Sequence, residues 1–350
     1  MPSPMLRALF AGLGGIGQRH LRNLRAVCGD RLAVSAYRVR GQSHVLSDTL
    51  QIAAESGLEA TYDVTTYTNL DEALADPPDV VFVCNPTSLH LEVALAAARR
   101  GCALFIEKPL ADTMDGVEAL AALVESRGLV AMVGYQLRFH PCIQRLLALV
   151  GERAVGHLVS VHAEVGEFLP GWHPYEDYRQ MYASRRDLGG GVILAQIHEL
   201  DYLYALVGLP TRVFAVGGHL SDLEVDVEDT ATMLMACEVD GRPLPVSLHV
   251  DYLQRPAARG CTVVGDRGKI VVDLLEPSLR RFDREGAEVE TFRPAGFQRN
   301  QLFLDQTRHL LACLEGRETP IVPIRDGAQS LRVALAAKAS LASGVAEGLG

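Results

Sequence analysis

Three stretches of the 350-residue sequence have residue types and spacing suited to chemistry. The first is Gly12-Leu13-Gly14-Gly15-Ile16-Gly17. In a dinucleotide site Gly12 allows the tight turn, Gly14 lets the backbone approach a pyrophosphate, and Gly17 lets helix and strand pack closely. Gly15 and Ile16 then open a helix whose free N–H groups and partial positive charge face the phosphates. The second stretch is Glu107-Lys108-Pro109. A partly buried lysine can lower its pKa and exchange protons with a reacting hydroxyl, although a charged pair before proline also serves as a turn. The third is Ala36-Tyr37-Arg38-Val39-Arg40, where an acid would hold the ribose 2′-hydroxyl of NAD. Arg38 or Arg40 could instead clamp a 2′-phosphate in a bidentate way, which favours NADP over NAD; otherwise both are solvated surface charge.

The elements that must position these residues follow from the apolar pattern. Strand Leu6 to Ala11 precedes the glycine turn, and Ile16, Leu21, Leu24 and Val27 lie on one face of a helix that takes in Gln18 to Val27. A strand from Leu32 to Tyr37, a helix from Leu50 to Ser56, a short strand from Thr65 to Tyr67 and a helix from Leu70 to Leu74 are expected next. Val80 to Cys84 is a continuous apolar run, as a buried parallel strand requires. It ends in Asn85-Pro86-Thr87-Ser88 before a helix from Leu89 to Arg100, and strand Ala103 to Ile106 leads into Lys108. Ligands of open parallel sheets bind beyond the carboxyl ends of the strands. That rule puts Asn85, Thr87 and His90 near the cofactor, unless His90 is an ordinary first-turn helix residue.

The bulk properties set limits. The chain is too long for one typical core, so two domains are expected. Hydrophobic residues make up 48% and aromatics 6%, as suits an alanine-rich soluble α/β protein. The seven cysteines are scattered without a Cys-x-x-Cys pair, and most sit in apolar runs, which predicts buried thiols in a reducing compartment. No cysteine–histidine cluster has metal-ligand spacing. No run is long enough to span a membrane, and Met1-Pro2-Ser3-Pro4 does not read as a signal peptide, so a cytoplasmic protein is expected. A formal charge of −10 argues against nucleic acid as a partner.

Taken together, Gly12-Leu13-Gly14-Gly15-Ile16-Gly17-Gln18-Arg19-His20, Asn85-Pro86-Thr87 and Glu107-Lys108-Pro109-Leu110 resemble the Gfo/Idh/MocA oxidoreductases. The motifs occur in the family's order and cover the first third of the chain. The resemblance implies an α/β protein with an N-terminal Rossmann domain and a C-terminal α+β domain built on an open-faced, mainly antiparallel sheet. It implies that Lys108 works next to the nicotinamide, with Glu107 and Pro109 lining the cofactor. It also implies that the stretch after strand Leu129 to Val133 begins the second domain and borders the substrate, which singles out Gln136 and Arg138. The domains are therefore placed at 1–135 and 136–350, with the last helix packing back on the first.

In the second half, a helix from Pro141 to Val150 and a strand from His157 to Val165 come first. Glu167 to Arg179 then reads as a loop carrying the only tryptophan. Trp172, His173 and Tyr178 could offer a sugar an aromatic face and hydrogen bonds; alternatively the aromatics only cover the sheet as part of an Ω-loop. Within the family, this segment looks like that of a subgroup associated with bacterial surface-sugar biosynthesis. Gly189-Gly190-Gly191 opens an apolar helix from Val192 to Val207 that carries His198. By itself such a histidine reads as a core residue, but relatives usually place their catalytic histidine here. Many also carry an Asp three or four residues earlier, where this chain has Ala195 and Leu194. The resemblance thus leaves Lys108 and His198 as the proton handlers, which would have to meet at one substrate.

Strands are expected at Arg212 to Val216, Thr230 to Val239, Pro245 to Tyr252, Cys261 to Val264 and Lys269 to Leu274, and helices at Asn300 to Leu314 and Ser330 to Ala342. A sheet with one uncovered face predicts a homodimer or homotetramer. The activity expected is hydride transfer between NAD(P) and a hydroxyl-bearing carbon of a sugar, sugar derivative or cyclitol. Reduction of an imine or enone, and a cofactor-binding sensor without catalysis, are the alternatives.

Overall fold

The computed structural model describes residues 5–40, 43–47, 49–54 and 57–349. Met1-Pro2-Ser3-Pro4 lies outside the described residues. Contacts divide the chain into two compact units. The first runs to Tyr135 and also takes in His173–Asp177 and Arg299–Ala328; the second holds Gln136–Trp172, Tyr178–Gln298 and the chain from Gln329 onward.

The first unit is a Rossmann sheet. Its strands are β1 (Leu6–Ala11), β2 (Leu32–Tyr37), β5 (Thr65–Tyr67), β6 (Val80–Val83), β7 (Ala103–Ile106) and β8 (Ala131–Val133), with β3 (Val45–Leu46) and β4 (Ile52–Ala54) forming a separate small pair. The six are in the order β5-β2-β1-β6-β7-β8, and every pairing between them is parallel. All residues of β6 and β7 are buried, as their unbroken apolar runs require. Phe10 stacks on Phe82 at 4.6 Å between ring centroids, and Phe105 lies 5.2 Å from Phe82. Helix α1 (Gly15–Cys28) buries Leu21 and Leu24 against this layer. The other helices of this unit include α2 (Leu58–Thr61), α3 (Leu70–Ala73), α4 (His90–Arg99) and α5 (Val117–Arg127).

One expected helix is absent. Leu50 to Ser56 reads as helical, yet Ile52–Ala54 is a strand paired with Val45–Leu46; Glu55 and Ser56 lie outside the described residues. The turn chemistry explains the difference. Ser47 N–H donates to the Gln51 carbonyl at 2.9 Å, the Ser47 hydroxyl accepts from Gln51 N–H at 3.1 Å, and Leu50 takes a left-handed φ of 59°. These bonds close a hairpin where apolar spacing suggested a helix.

The second unit opens with α6 (Pro141–Gly151), which starts at proline as expected. Its sheet has nine strands, β9 (Leu158–Gly166), β10 (Arg212–Gly218), β11 (Thr230–Val239), β12 (Arg242–Asp251), β13 (Ala258–Gly265), β14 (Gly268–Asp273), β15 (Ser278–Asp283), β16 (Glu288–Phe292) and β17 (Glu347–Gly348). Only the β9–β12 pairing is parallel. Residues alternate between buried and accessible along β11, so one face is covered and the other is not. On the open face Leu234 lies opposite Phe214, and Leu234 and Val216 are 57% and 54% exposed. Strands β15 to β17 were not legible in the sequence.

The helix expected from Val192 to Val207 is two helices, α7 (Val192–Ala195) and α8 (His198–Val207). Gln196 N–H turns back to the Leu194 and Val192 carbonyls and ends α7. Neither glycine nor proline marks the break, so the apolar pattern runs through it. The last helices are α9 (Asn300–Leu314), which exchanges side-chain amide hydrogen bonds with α1 through Asn23 and Asn300, and α10 (Ile324–Ser343).

Candidate active site

The glycine turn has the geometry a dinucleotide needs. Gly12 has φ +97°, and a Cβ there would lie 2.8 Å from the Cys84 carbonyl oxygen. A Cβ on Gly17 would lie 2.3 Å from the Gly12 carbonyl oxygen, so helix and turn touch only because Gly17 lacks a side chain. Gly14 faces open space, with nothing within 4 Å of its would-be Cβ. The N-cap Gly14 offers no side chain to α1, and no acid occupies its first turn. Helix N–H groups beside an open glycine suit a pyrophosphate, so the residues present fit the group.

At the end of β2, Arg38 forms an ion pair with Glu59 of α2, while Arg40 is exposed. An acid therefore does lie at this strand end, supplied from 21 positions further along the chain. The local spacing gave no sign of it.

Beyond β6, the Asn85 side chain donates to the Leu89 carbonyl at 3.2 Å, and Thr87 is buried. His90 is buried at the start of α4. Its Nδ1 lies 2.8 Å from the Pro109 carbonyl oxygen and its Nε2 lies 2.9 Å from that of Asn85. Burial holds its pKa below the ordinary value, so at neutral pH the ring carries one N–H and donates it to one of the two carbonyls. His90 thus meets this region through main-chain groups. Lys108 lies just past β7, half-buried. The Glu107 carboxylate beside it accepts the Lys108 backbone N–H at 3.1 Å through Oε2. Its Oε1 lies 2.6 Å from His20 Nε2 on α1, and both side chains are buried. His20 belongs to no site read from the sequence; a histidine three residues past the last glycine carries no signal of its own.

The loop singled out for aromatic residues is divided between the units. Trp172 packs edge-on against Tyr252 at 5.4 Å, and the Tyr178 hydroxyl accepts the Glu224 N–H at 3.2 Å, so both are held by packing in the second unit. His173 belongs to the first unit, where it stacks on Tyr175 at 5.2 Å and meets Glu176 at 2.6 Å. The Tyr175 hydroxyl accepts the Gly15 N–H and donates to Glu176. Tyr175 thus lies on the glycine turn itself, a placement that sequence reasoning missed.

In the second unit, Gln136 and Arg138 share a single turn, Gln136–Phe139. Arg138 grips Asp201 of α8 in a bidentate pair at 2.6 and 2.9 Å, and Asp201 is fully buried. Arg259 grips Glu199 in the same way, at 2.7 and 2.9 Å. Both acids on α8 are thereby neutralised, and the helix presents His198, 4% exposed, as its first residue. Ala195 and Leu194 are buried and apolar where an acid could have stood. Among the described residues no group of three or more His, Cys, Asp or Glu is arranged to hold a metal ion, and no helix is long and apolar enough to cross a membrane.

Comparison with known proteins agrees with this geometry. Scyllo-inositol 2-dehydrogenase (NAD(+)) of Bacillus subtilis is 24% identical, over 97% of this chain and 95% of its own. The aldose-aldose oxidoreductase of Caulobacter crescentus, solved with glycerol, superposes with a TM-score of 0.79 at 25% identity, covering 98% of this chain and 99% of that one. The WlbA dehydrogenase of Bordetella pertussis, solved with NADH and UDP-GlcNAcA, superposes with a TM-score of 0.77 at 22% identity and 99% coverage of both chains. Residues 6–135 match the GFO/IDH/MocA oxidoreductase family with its NAD-binding Rossmann fold, and residues 143–271 match the GFO/IDH/MocA C-terminal domain. The chain belongs to the Gfo/Idh/MocA family of oxidoreductases.

Proposed function

We propose that this protein moves hydride between NAD(P) and a hydroxyl-bearing carbon of a sugar, sugar derivative or cyclitol. The observation that carries the reading is Lys108, fixed just past β7 of a sheet whose first turn is shaped for a dinucleotide. It is one of three lysines among 33 basic residues. Arginine stays charged at any working pH, whereas lysine can trade a proton. A nicotinamide held there would supply the hydride chemistry. Lys108 takes the hydroxyl proton when the carbon is oxidised and returns it in the opposite direction, and His198 is the second proton handler. Gly12, Gly14, Gly15, Ile16 and Gly17 hold the pyrophosphate, with Asn85, Thr87, His90, Glu107 and Pro109 shaping the nicotinamide side. Gln136, Arg138, Trp172, His173 and Tyr178 serve the substrate, Arg138 from the position Asp201 fixes.

The names of the relatives support the substrate class: inositols in one case, an aldose in another, a nucleotide-linked sugar in a third. The last suits the surface-sugar subgroup. At the adenosine ribose, Arg38 and Arg40 favour a 2′-phosphate while Glu59 opposes it, so the expected preference for NADPH over NADH is small. The domain division is taken as 1–135 and 136–350. Seven buried free cysteines support a reducing, cytoplasmic setting. The apolar open face around Phe214, Val216 and Leu234 supports a homodimer or homotetramer. Imine or enone reduction would use the same residues. The absent acid at Ala195 favours, as a second reading, a sensor that binds cofactor without turnover.

Mixing the protein and oxidised cofactor with free sugars, cyclitols and nucleotide sugars separates these. Cofactor reduction with at least one is expected. Cofactor binding with no reduction by any of them would favour the sensor.

A further inference from the structure

We propose that His20 and His90 are positioning residues that hold the Glu107-Lys108-Pro109 turn from both ends and thereby set the place of Lys108. This rests on the reading of Lys108 as the proton-transfer residue. The turn has two grips. At its start, the Glu107 carboxylate is fixed by His20 through one oxygen and by the Lys108 backbone N–H through the other. At its end, the Pro109 carbonyl lies 2.8 Å from His90 Nδ1, and the same ring reaches the Asn85 carbonyl at the end of the neighbouring strand. Lys108 is the residue between the two grips.

The surroundings make the first grip strong and costly. The His20 ring packs against Phe105 at 4.8 Å, Phe303 at 5.8 Å and Phe82 at 6.0 Å. In such an apolar cage a carboxylate is tolerated only if it is paired and hydrogen-bonded. For stability alone, a well-packed hydrophobic pair of similar volume serves as well as a buried ionic one. Geometry distinguishes the two choices. A carboxylate with both oxygens bonded fixes the adjoining backbone N–H, which an apolar side chain does not. Proton transfer is sensitive to that placement, since an error of about 1 Å can cost roughly a hundredfold in rate.

The three lysines, Lys108, Lys269 and Lys338, make a direct test possible. Reductive methylation of the full-length chain with isotopically labelled formaldehyde gives each one an NMR signal, assigned by single Lys→Arg variants. Lys338 is paired with Glu228, and Lys269 lies 5.1 Å over the Phe282 ring, so both are held by contacts within the second unit and serve as internal controls. In His20→Leu the Lys108 signal should move, with the other two signals unchanged. His20→Gln, whose amide nitrogen can stand where Nε2 stood, should restore the wild-type signal. His90→Leu should also displace the Lys108 signal, while NADH binding, read by fluorescence, holds in both His20 variants. Should His20→Leu not fold, Glu107→Gln is expected to reproduce its shift. A Lys108 signal unchanged in His90→Leu and in either His20→Leu or Glu107→Gln overturns the proposal, as do equal movements of all three signals. These readings do not depend on turnover, so they stand apart from the test of Lys108 as the proton-transfer residue.

Discussion

Replacing Glu59 by Gln should raise the preference for NADPH over NADH. Arg38 is 9% exposed at its side chain and pairs with Glu59, which is 45% exposed. A 2′-phosphate at the end of β2 must share or displace that pair, and it also meets the carboxylate's like charge. Two unit charges 4 Å apart interact by about 1 kcal/mol in bulk water and about 4 kcal/mol at the effective dielectric of a protein surface. Because Glu59 is half in solvent, the lower part of that range applies, about 1–2 kcal/mol after screening. Each 1.4 kcal/mol is tenfold in affinity, so the ratio of NADPH to NADH affinity should rise by roughly 5- to 30-fold. Arg38→Ala should act in the opposite sense, because it removes a charge-assisted bond of about 1.5–3 kcal/mol to the phosphate. Fluorescence titration of both cofactors against both variants measures the ratio. An equal change for NADPH and NADH in Glu59→Gln, or a shift toward NADH, would refute the reasoning.

The remaining predictions concern chemistry, folding and assembly. Lys108→Met and His198→Ala should each lower turnover by ~10²–10⁴-fold with little change in cofactor affinity, the lysine change costing more because no acid at Ala195 orients His198. Gly14→Ala should weaken NADH binding at unchanged thermal stability, since its Cβ meets open space in the free protein. Gly17→Ala should lower both, because its Cβ collides with the Gly12 carbonyl. His140 caps α6 by accepting the Cys142 N–H at 3.1 Å, and burial, helped by Arg259, pushes its pKa down to about 4. The unfolded chain binds that proton from near pH 6.5 downward and the folded one does not, so stability is full above pH 6.5 and falls as pH drops toward 4, by about 3 kcal/mol. His140→Asn keeps a cap and should flatten this slope in urea melts at pH 7 and pH 5. Leu234→Asp, on the open face of the sheet, should reduce the mass seen by light scattering from that of an oligomer to about 38 kDa.

What the sequence disclosed and what it hid follow from the range of the interactions. The glycine turn, β1, β2, β7 and α9 were legible because their signals are local: glycine spacing, apolar runs and one amphipathic face. The hairpin at Ile52–Ala54 was read as a helix because side-chain bonds from Ser47 decide it, and periodicity does not register such bonds. Strands β15 and β16 were missed because they carry arginines and glutamates along a sheet edge where apolar alternation is weak. Lys108 is singled out by its motif and His198 by the family resemblance. The contacts around them are not legible, since His20 is 87 positions from Glu107 and Arg138 is 63 from Asp201. Glu59 and Tyr175 were hidden for the same reason. Each reaches its place through the fold, and nothing next to it in the chain foretells the contact.

The central claim is that this chain transfers hydride from a carbinol carbon while Lys108 handles the proton. Its most direct test is isotopic. A sugar, cyclitol or nucleotide sugar that turns over is supplied with deuterium at the oxidised carbon, and the nicotinamide formed is weighed by mass spectrometry. Deuterium on the nicotinamide of the wild-type reaction, together with its slow appearance in Lys108→Met at unchanged cofactor affinity, is the predicted result. Reduced nicotinamide free of deuterium, or wild-type turnover in Lys108→Met, would contradict the account.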